Sequence, residues 1–363
     1  MIIYYIYFIC LTVLAIEYEL NPFHSRAVLI FVGISLISLA GFRGMDVSRD
    51  YLGYQYAFDH IRDFLPDDTG GYFSVYEPGF IGVVIFFKIF FIQNYGLAIM
   101  LFFAGLSVAI KFFVFDRFAI NPYLVILLYF SHYFILHEMT QIRIGFAISI
   151  FLLSLIFYFK NNYKAYTAMI LLATLFHYSA LLYLILLFIR KESFNRFIYS
   201  ALLFVSIVLG FAKMPLFNLV GDVFSIGGSS GKLNTYGAII EYGLADDIKV
   251  FNVVNLTKIF CSIYLMFAIP KCELIADKKL IFFLKCNIIS IFTLSLFSSL
   301  PSIAFRISDV FSVATVFNYA YLAKYLPFNK FNVWFVVLIA GMLFYLNVIY
   351  GDLLQPYELL QIK

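Results

Sequence analysis

The sequence predicts an all-α, polytopic transmembrane bundle of about 11–13 membrane segments. Three observations carry that expectation. Apolar residues make up 63% of the chain and charged ones 13%, with a mean hydropathy of +0.94. Apolar runs near the length needed to cross a hydrocarbon core of about 30 Å recur from end to end. The runs are continuous rather than alternating, so of the two architectures that satisfy backbone groups in lipid, helices are favoured over a closed barrel. A soluble enzyme and a disulfide scaffold are both excluded.

In chain order the candidate segments are 2–20, 26–42, 78–93, 96–116, 121–137, 142–159, 164–176, 178–190, 197–215, 250–270, 280–300, 306–324 and 331–350. The first follows Met1 with no basic region and no small-residue cleavage site, so it reads as a retained helix. Residues 1–363 read as one integral membrane domain without internal repeats, interrupted by two longer connections, 43–77 and 216–249. In the first, Asp50, Tyr51 and Tyr54 predict an amphipathic interfacial helix over 50–64. The second, expected outside the cytoplasm, holds a turn-rich Gly-Gly-Ser-Ser-Gly stretch at 227–231. Cys10, Cys261, Cys272 and Cys286 lie in or beside apolar runs without metal-ligand spacing and read as small core residues. The net charge of +4 is scattered over loops and gives no footprint for nucleic acid.

The basic loops orient the map. Lys160 and Lys164, Arg190, Lys191 and Arg196, Lys271, Lys278 and Lys279, and Lys324 and Lys330 share the cytoplasmic side under one parity. That parity requires 164–190 to cross twice, turning at His177. Gln141, Arg143, His177, the 216–249 loop and Arg306 then face the opposite side. Strict counting puts the Arg43 loop in the cytoplasm, opposite the others, so either that loop is a separate site or, the favoured reading, one segment between 78 and 137 does not cross fully. The re-entrant candidates are 78–93, with Lys88, and 121–137, punctuated by Asn121, Ser131, His132 and His137.

The candidate chemistry sits where charge meets hydrocarbon, because intramembrane ionisable groups are costly and functional by default. Arg43 opens a loop rich in Asp46, Arg49, Asp50, Tyr51 and Tyr54; its bland reading is local Arg–Asp pairing in a tyrosine belt. Glu77 precedes Pro78 at a helix start, where an acidic residue is ordinary. Gln141 and Arg143 open an apolar helix, where the dipole opposes a cation, so Arg143 needs an anion: Glu138 or a bound phosphate. His177, beside Tyr178 and Ser179, is either a satisfied interfacial histidine or a general base. Arg306, with Asp309 three residues on, reads as the start of a late helix and is either an i,i+3 pair or an anion ligand. No phosphate-binding loop, dinucleotide fingerprint or metal-ligand cluster is present, so no cofactor or metal is expected.

Taken in order, Gly41-Phe-Arg43, Asp50-Tyr51 with Tyr54, Glu77-Pro-Gly-Phe80, Gln141-Ile-Arg143, Phe176-His-Tyr-Ser179 and Arg306 resemble the EpsG/Wzy group of bacterial polysaccharide polymerases. Where that group has a Gly-x-Asp before the tyrosine, this chain has Val47-Ser-Arg-Asp50, leaving the roles of Asp46 and Asp50 open. The resemblance implies a multi-pass enzyme of the bacterial inner membrane with a GT-C-like fold. Its donor and acceptor would be undecaprenyl-pyrophosphate-linked glycans joined on the periplasmic side, with a chain-length regulator as a further candidate partner. Catalysis would fall to His177 or Asp50 as base and to Arg143 and Arg306 on the leaving pyrophosphate. Arg43, Arg49, Asp46, Tyr51, Tyr54, Glu77, Gln141 and Tyr178 would bind substrate. The competing readings are a flippase of the same lipid-linked sugars and a ligase that transfers the glycan elsewhere.

Overall fold

The computed structural model describes residues 1–22, 25–61, 76–91, 93–212, 248–269, 277–299 and 301–360. The apolar runs fold as helices because no other open structure satisfies their backbone away from water. Among the described residues, five helices are long and apolar enough to span a bilayer: Ile2–Leu20, Tyr95–Phe118, Ile142–Phe159, Lys278–Leu296 and Asn329–Tyr350. Five shorter apolar helices accompany them. The chain is thus an all-helical polytopic membrane protein, and it divides into two compact units, 1–188 with 326–363, and 189–325.

The first unit contains α1 (Ile2–Leu20), α2 (Arg26–Gly41), α3 (Tyr51–His60), α4 (Pro78–Phe90), α5 (Tyr95–Phe118), α6 (Pro122–Tyr129), α7 (Ile142–Phe159) and α8 (Tyr163–Thr174). α6 continues as a π-helix over Phe130–Glu138, an uncommon form that concentrates at functional sites. Nearly every residue of α6 and its π-helical extension is buried, so 121–137 is the centre of this unit rather than a shallow re-entrant turn.

α4 is the segment that departs from the bundle direction. Phe80 and Phe87 lie about 10 Å apart along α4, yet they pack on adjacent residues of α5, Phe103 and Phe102, at 5.8 and 5.4 Å. α4 therefore crosses α5 steeply. Its far end stays beside α3, where Lys88 Nζ donates to the Asp59 carbonyl at 2.7 Å. The ends carrying Arg43, Glu77, Arg143 and His177 fall together.

The 164–190 run does turn at His177. Tyr166 in α8 donates its hydroxyl to the Tyr183 carbonyl at 2.7 Å, which two stretches of one straight helix could not do. The return strand of this hairpin, Tyr178–Phe188, is a 3₁₀-helix whose buried residues Ala180, Tyr183 and Leu186 repeat every third position. A 3₁₀ rise of about 2.0 Å per residue reaches further than an α-helix of equal length, which suits a short segment. Tyr183 stacks on Phe151 of α7 with ring centroids 3.5 Å apart.

The last helix of this unit, Asn332–Tyr345, ends in a π-helical turn, Leu346–Tyr350, after which the chain passes over the α2–α3 connection. Arg43 pairs antiparallel with Leu359 and Ser48 with Leu354. Gly44 N–H donates to the Glu358 carbonyl at 2.7 Å, and a Cβ at residue 44 would stand 3.2 Å from that oxygen. This strap of 351–360 was not anticipated from the sequence.

The second unit contains α9 (Arg196–Ala212), α10 (Val253–Ala268), α11 (Lys278–Leu296), α12 (Pro301–Ser312) and α13 (Thr315–Tyr325). α11 is its buried axis. Asn287 donates to Ser262 Oγ at 2.8 Å and accepts from Thr315 Oγ1 at 2.7 Å, while Phe283 stacks on Phe317 at 4.0 Å. The predicted 306–324 segment is two helices with a break at 313–314, and it starts at Pro301. Arg306 consequently lies within α12 rather than at its opening. Most of the predicted 216–249 loop, and Cys272, lie outside the described residues. Cys10, Cys261 and Cys286 are free thiols, the last two buried and Cys10 exposed.

Candidate active site

Glu77 is the residue around which the site is built. As the residue before Pro78 it is held extended, with φ −74° and ψ 147°, and its carboxylate makes no capping bond to its own helix. It reaches instead to two side chains from separate elements. One carboxylate oxygen pairs with Arg143 Nη1 at the start of α7. The other lies 3.1 Å from His177 Nδ1 at the turn of the hairpin. The ordinary helix-start reading of Glu77 is thus replaced, and the anion that Arg143 requires is Glu77, not Glu138. Burial pushes the Glu77 carboxyl up, but the hydrogen bond from His177 and the charge of Arg143 outweigh it, so its pKa is lowered.

Close packing holds these three residues in place. Gly79 N–H donates to the Leu175 carbonyl at 2.8 Å, and a Cβ there would sit 2.7 Å from the same oxygen. Only glycine lets α4 come this close to the turn that carries His177. Arg143 is flanked by aromatic faces, with its guanidinium carbon 4.9 Å from the Tyr76 centroid and 5.6 Å from that of Phe80. Beneath, Phe103, Phe146 and Phe176 pack edge to face at 5.5 and 4.7 Å, a dry floor that strengthens the ion pairs above it.

Tyr54 of α3 is buried beside Arg143, close enough for the guanidinium to act on its hydroxyl, which joins the 43–60 stretch to the cluster. Arg43 lies behind it, 1% exposed, donating to the Ala40 carbonyl at the end of α2, a favourable place for a cation. Its guanidinium carbon stands 5.5 Å over the Tyr51 ring. Burial pushes the Arg43 guanidinium down to about 10, so it remains charged at neutral pH. Its Nε and Nη2 have no hydrogen-bond partner among the described residues.

The remaining predicted residues are more peripheral. Asp46, Arg49 and Asp50 are exposed, and Arg49 donates to the Gly351 carbonyl at 2.9 Å. Gln141 is half-buried at the start of α7 without a side-chain cap bond, and Tyr178 is exposed at the start of the 3₁₀ segment. Arg306 is exposed in the second unit, where Asp309 accepts from Ser312 Oγ at 3.1 Å. The structure therefore gathers Tyr54, Glu77, Arg143 and His177, with Arg43 adjoining through the tyrosines.

A second charged cluster, behind α7, was not singled out in the sequence. Lys111 of α5 donates to Glu138, to Ser107 Oγ at 3.1 Å and to the Gly145 carbonyl at 3.0 Å. Glu138 also accepts from Tyr129 at 2.7 Å. Gly145 packs so tightly that a Cβ would stand 2.9 Å from that of His137. The available signal was a lysine inside an apolar run, which lipid rarely tolerates unpaired. Among the described residues no three His, Cys, Asp or Glu side chains are grouped as a metal would need.

Chemically, a carboxylate on Nδ1 fixes that nitrogen as the protonated one and leaves Nε2 as a lone-pair base, with a guanidinium alongside for developing negative charge. No curated protein and no solved structure matches the chain. The EpsG family model matches residues 26–359, which span every residue of this cluster, and the chain belongs to that family, a family of polysaccharide polymerases.

Proposed function

We propose that the protein joins lipid-linked oligosaccharide repeat units by glycosyl transfer, with undecaprenyl pyrophosphate as the lipid carrier, at the periplasmic face of the bacterial inner membrane. The observation that carries this reading is Glu77 shared between Arg143 and His177 at one end of the first unit. His177 Nε2 takes the proton of an acceptor sugar hydroxyl as its oxygen attacks the donor's anomeric carbon. The bond from that carbon to the lipid pyrophosphate breaks, and the pyrophosphate leaves with the electron pair. Arg143 stabilises the charge that develops there, with Arg49 assigned to substrate binding. Tyr54 and Glu77 position Arg143 and His177, and Arg43 supports Tyr51 and Tyr54. Asp46, Asp50, Gln141 and Tyr178 line the route of the sugar.

The test is elongation of a lipid-linked repeat unit by the purified protein. Loss of a general base costs roughly 10²–10⁴-fold, so His177→Ala is expected to fall in that range, and Arg143→Ala is expected to abolish long products. A normal product ladder from either variant would overturn the assignment. Translocation of lipid-linked sugar with no bond formed would instead establish a flippase.

A further inference from the structure

A groove of about 500 Å³ runs between α2 and α5, away from the site just described. The two helices are antiparallel, since Gly41 faces Leu101 while Gly33 faces Phe112. Leu29, Gly33, Ile37 and Phe112 line the groove, and its only charged lining residues are Arg26 and Asp116. Both stand at one end, because Arg26 opens α2 and Asp116 lies in the last turn of α5. The outer wall is open to the surroundings, with Ile30 62% and Ile34 58% exposed. In a chain that spans a bilayer, those surroundings are acyl chains.

Length and charge select the occupant. From Arg26 to Ile37 the groove follows α2 for about 16 Å, close to half of a hydrocarbon core of about 30 Å, so it matches one leaflet. Arg26 makes no hydrogen bond or ion pair with a described residue, and it sits at a helix N-terminus, where the backbone also favours an anion. Asp116 beside it disfavours a purely anionic headgroup and suits a primary ammonium. We propose that the α2–α5 groove binds one aminophospholipid, its phosphate on Arg26, its ammonium on Asp116 and one acyl chain along the Gly33–Phe112 wall.

Native mass spectrometry of the full-length chain in detergent, offered equimolar phosphatidylethanolamine, phosphatidylcholine and phosphatidylglycerol, tests this. One phosphatidylethanolamine per chain is expected, held about tenfold more tightly than the other two, the scale of one charge-assisted hydrogen bond. The quaternary ammonium of phosphatidylcholine has no proton to donate. Asp116→Asn should erase the preference, and Arg26→Ala should lower retention of all three. Gly33→Leu, which fills the groove with apolar atoms and keeps the helix, should displace the lipid without changing the thermal midpoint by more than a few degrees. Equal retention of the three lipids, or retention unchanged in Gly33→Leu, would overturn the proposal.

Discussion

Glu77 serves two partners, a guanidinium and an imidazole, with one carboxylate, and that sharing sets the consequences of changing it. Glu77→Gln keeps the shape and removes the charge, leaving Arg143 without its counter-ion; breaking a buried pair in this way costs about 3 kcal/mol. We expect a thermal midpoint several degrees lower and loss of elongation in the same variant. The lowered pKa adds a pH signature. A carboxylate depressed in the folded state contributes stability that is present above its unfolded value and lost as pH falls through its folded value. The thermal midpoint of the native protein should therefore drop in acid below the ordinary carboxylate range, and Glu77→Gln should flatten that limb. An identical acid limb in the variant would show that other carboxylates govern it.

At the scale of elements, the site depends on two close approaches. Gly79 brings α4 against the His177 turn, and Gly145 brings α7 against the π-helical turn at His137. Gly79→Val places atoms within 3 Å of the Leu175 backbone oxygen, where no flexible side chain can yield. It should separate Glu77 from His177 and reduce elongation while the other helices stay folded, which a cysteine cross-link between α2 and α5 would report. The hairpin depends instead on an aromatic stack. Tyr183→Ala removes the ring packed on Phe151 and the cavity term should cost about 3–5 kcal/mol. The expected result is poor recovery of folded protein, with Tyr183→Phe rescuing it because the stack needs the ring rather than the hydroxyl. The reach and turn of 164–190 were legible in the sequence, from loop charge and the polar break at His177. Its 3₁₀ form was not, since a buried residue every third position emerges only once α7 and α8 define one side.

At the scale of the molecule, the 351–360 strap lies over the connection that holds Arg43, and Tyr357 packs on Tyr4 of α1 with centroids 6.3 Å apart. Removing residues 351–363 should expose Arg43, raise protease cleavage between 42 and 50 and lower elongation. Unchanged cleavage there would show that the strap is dispensable. The sequence by itself determined the membrane class, nearly every helix position and the family, because bilayer thickness imposes long apolar runs and a charge that interrupts one must have a reason. Only the tertiary structure decided which charges meet. That α4 crosses steeply, that Glu77 rather than Glu138 answers Arg143, and that Lys111 takes Glu138 all follow from helix crossing and close glycine contacts. Those contacts join residues far apart in the chain, and the hydropathy of each segment alone holds no record of them.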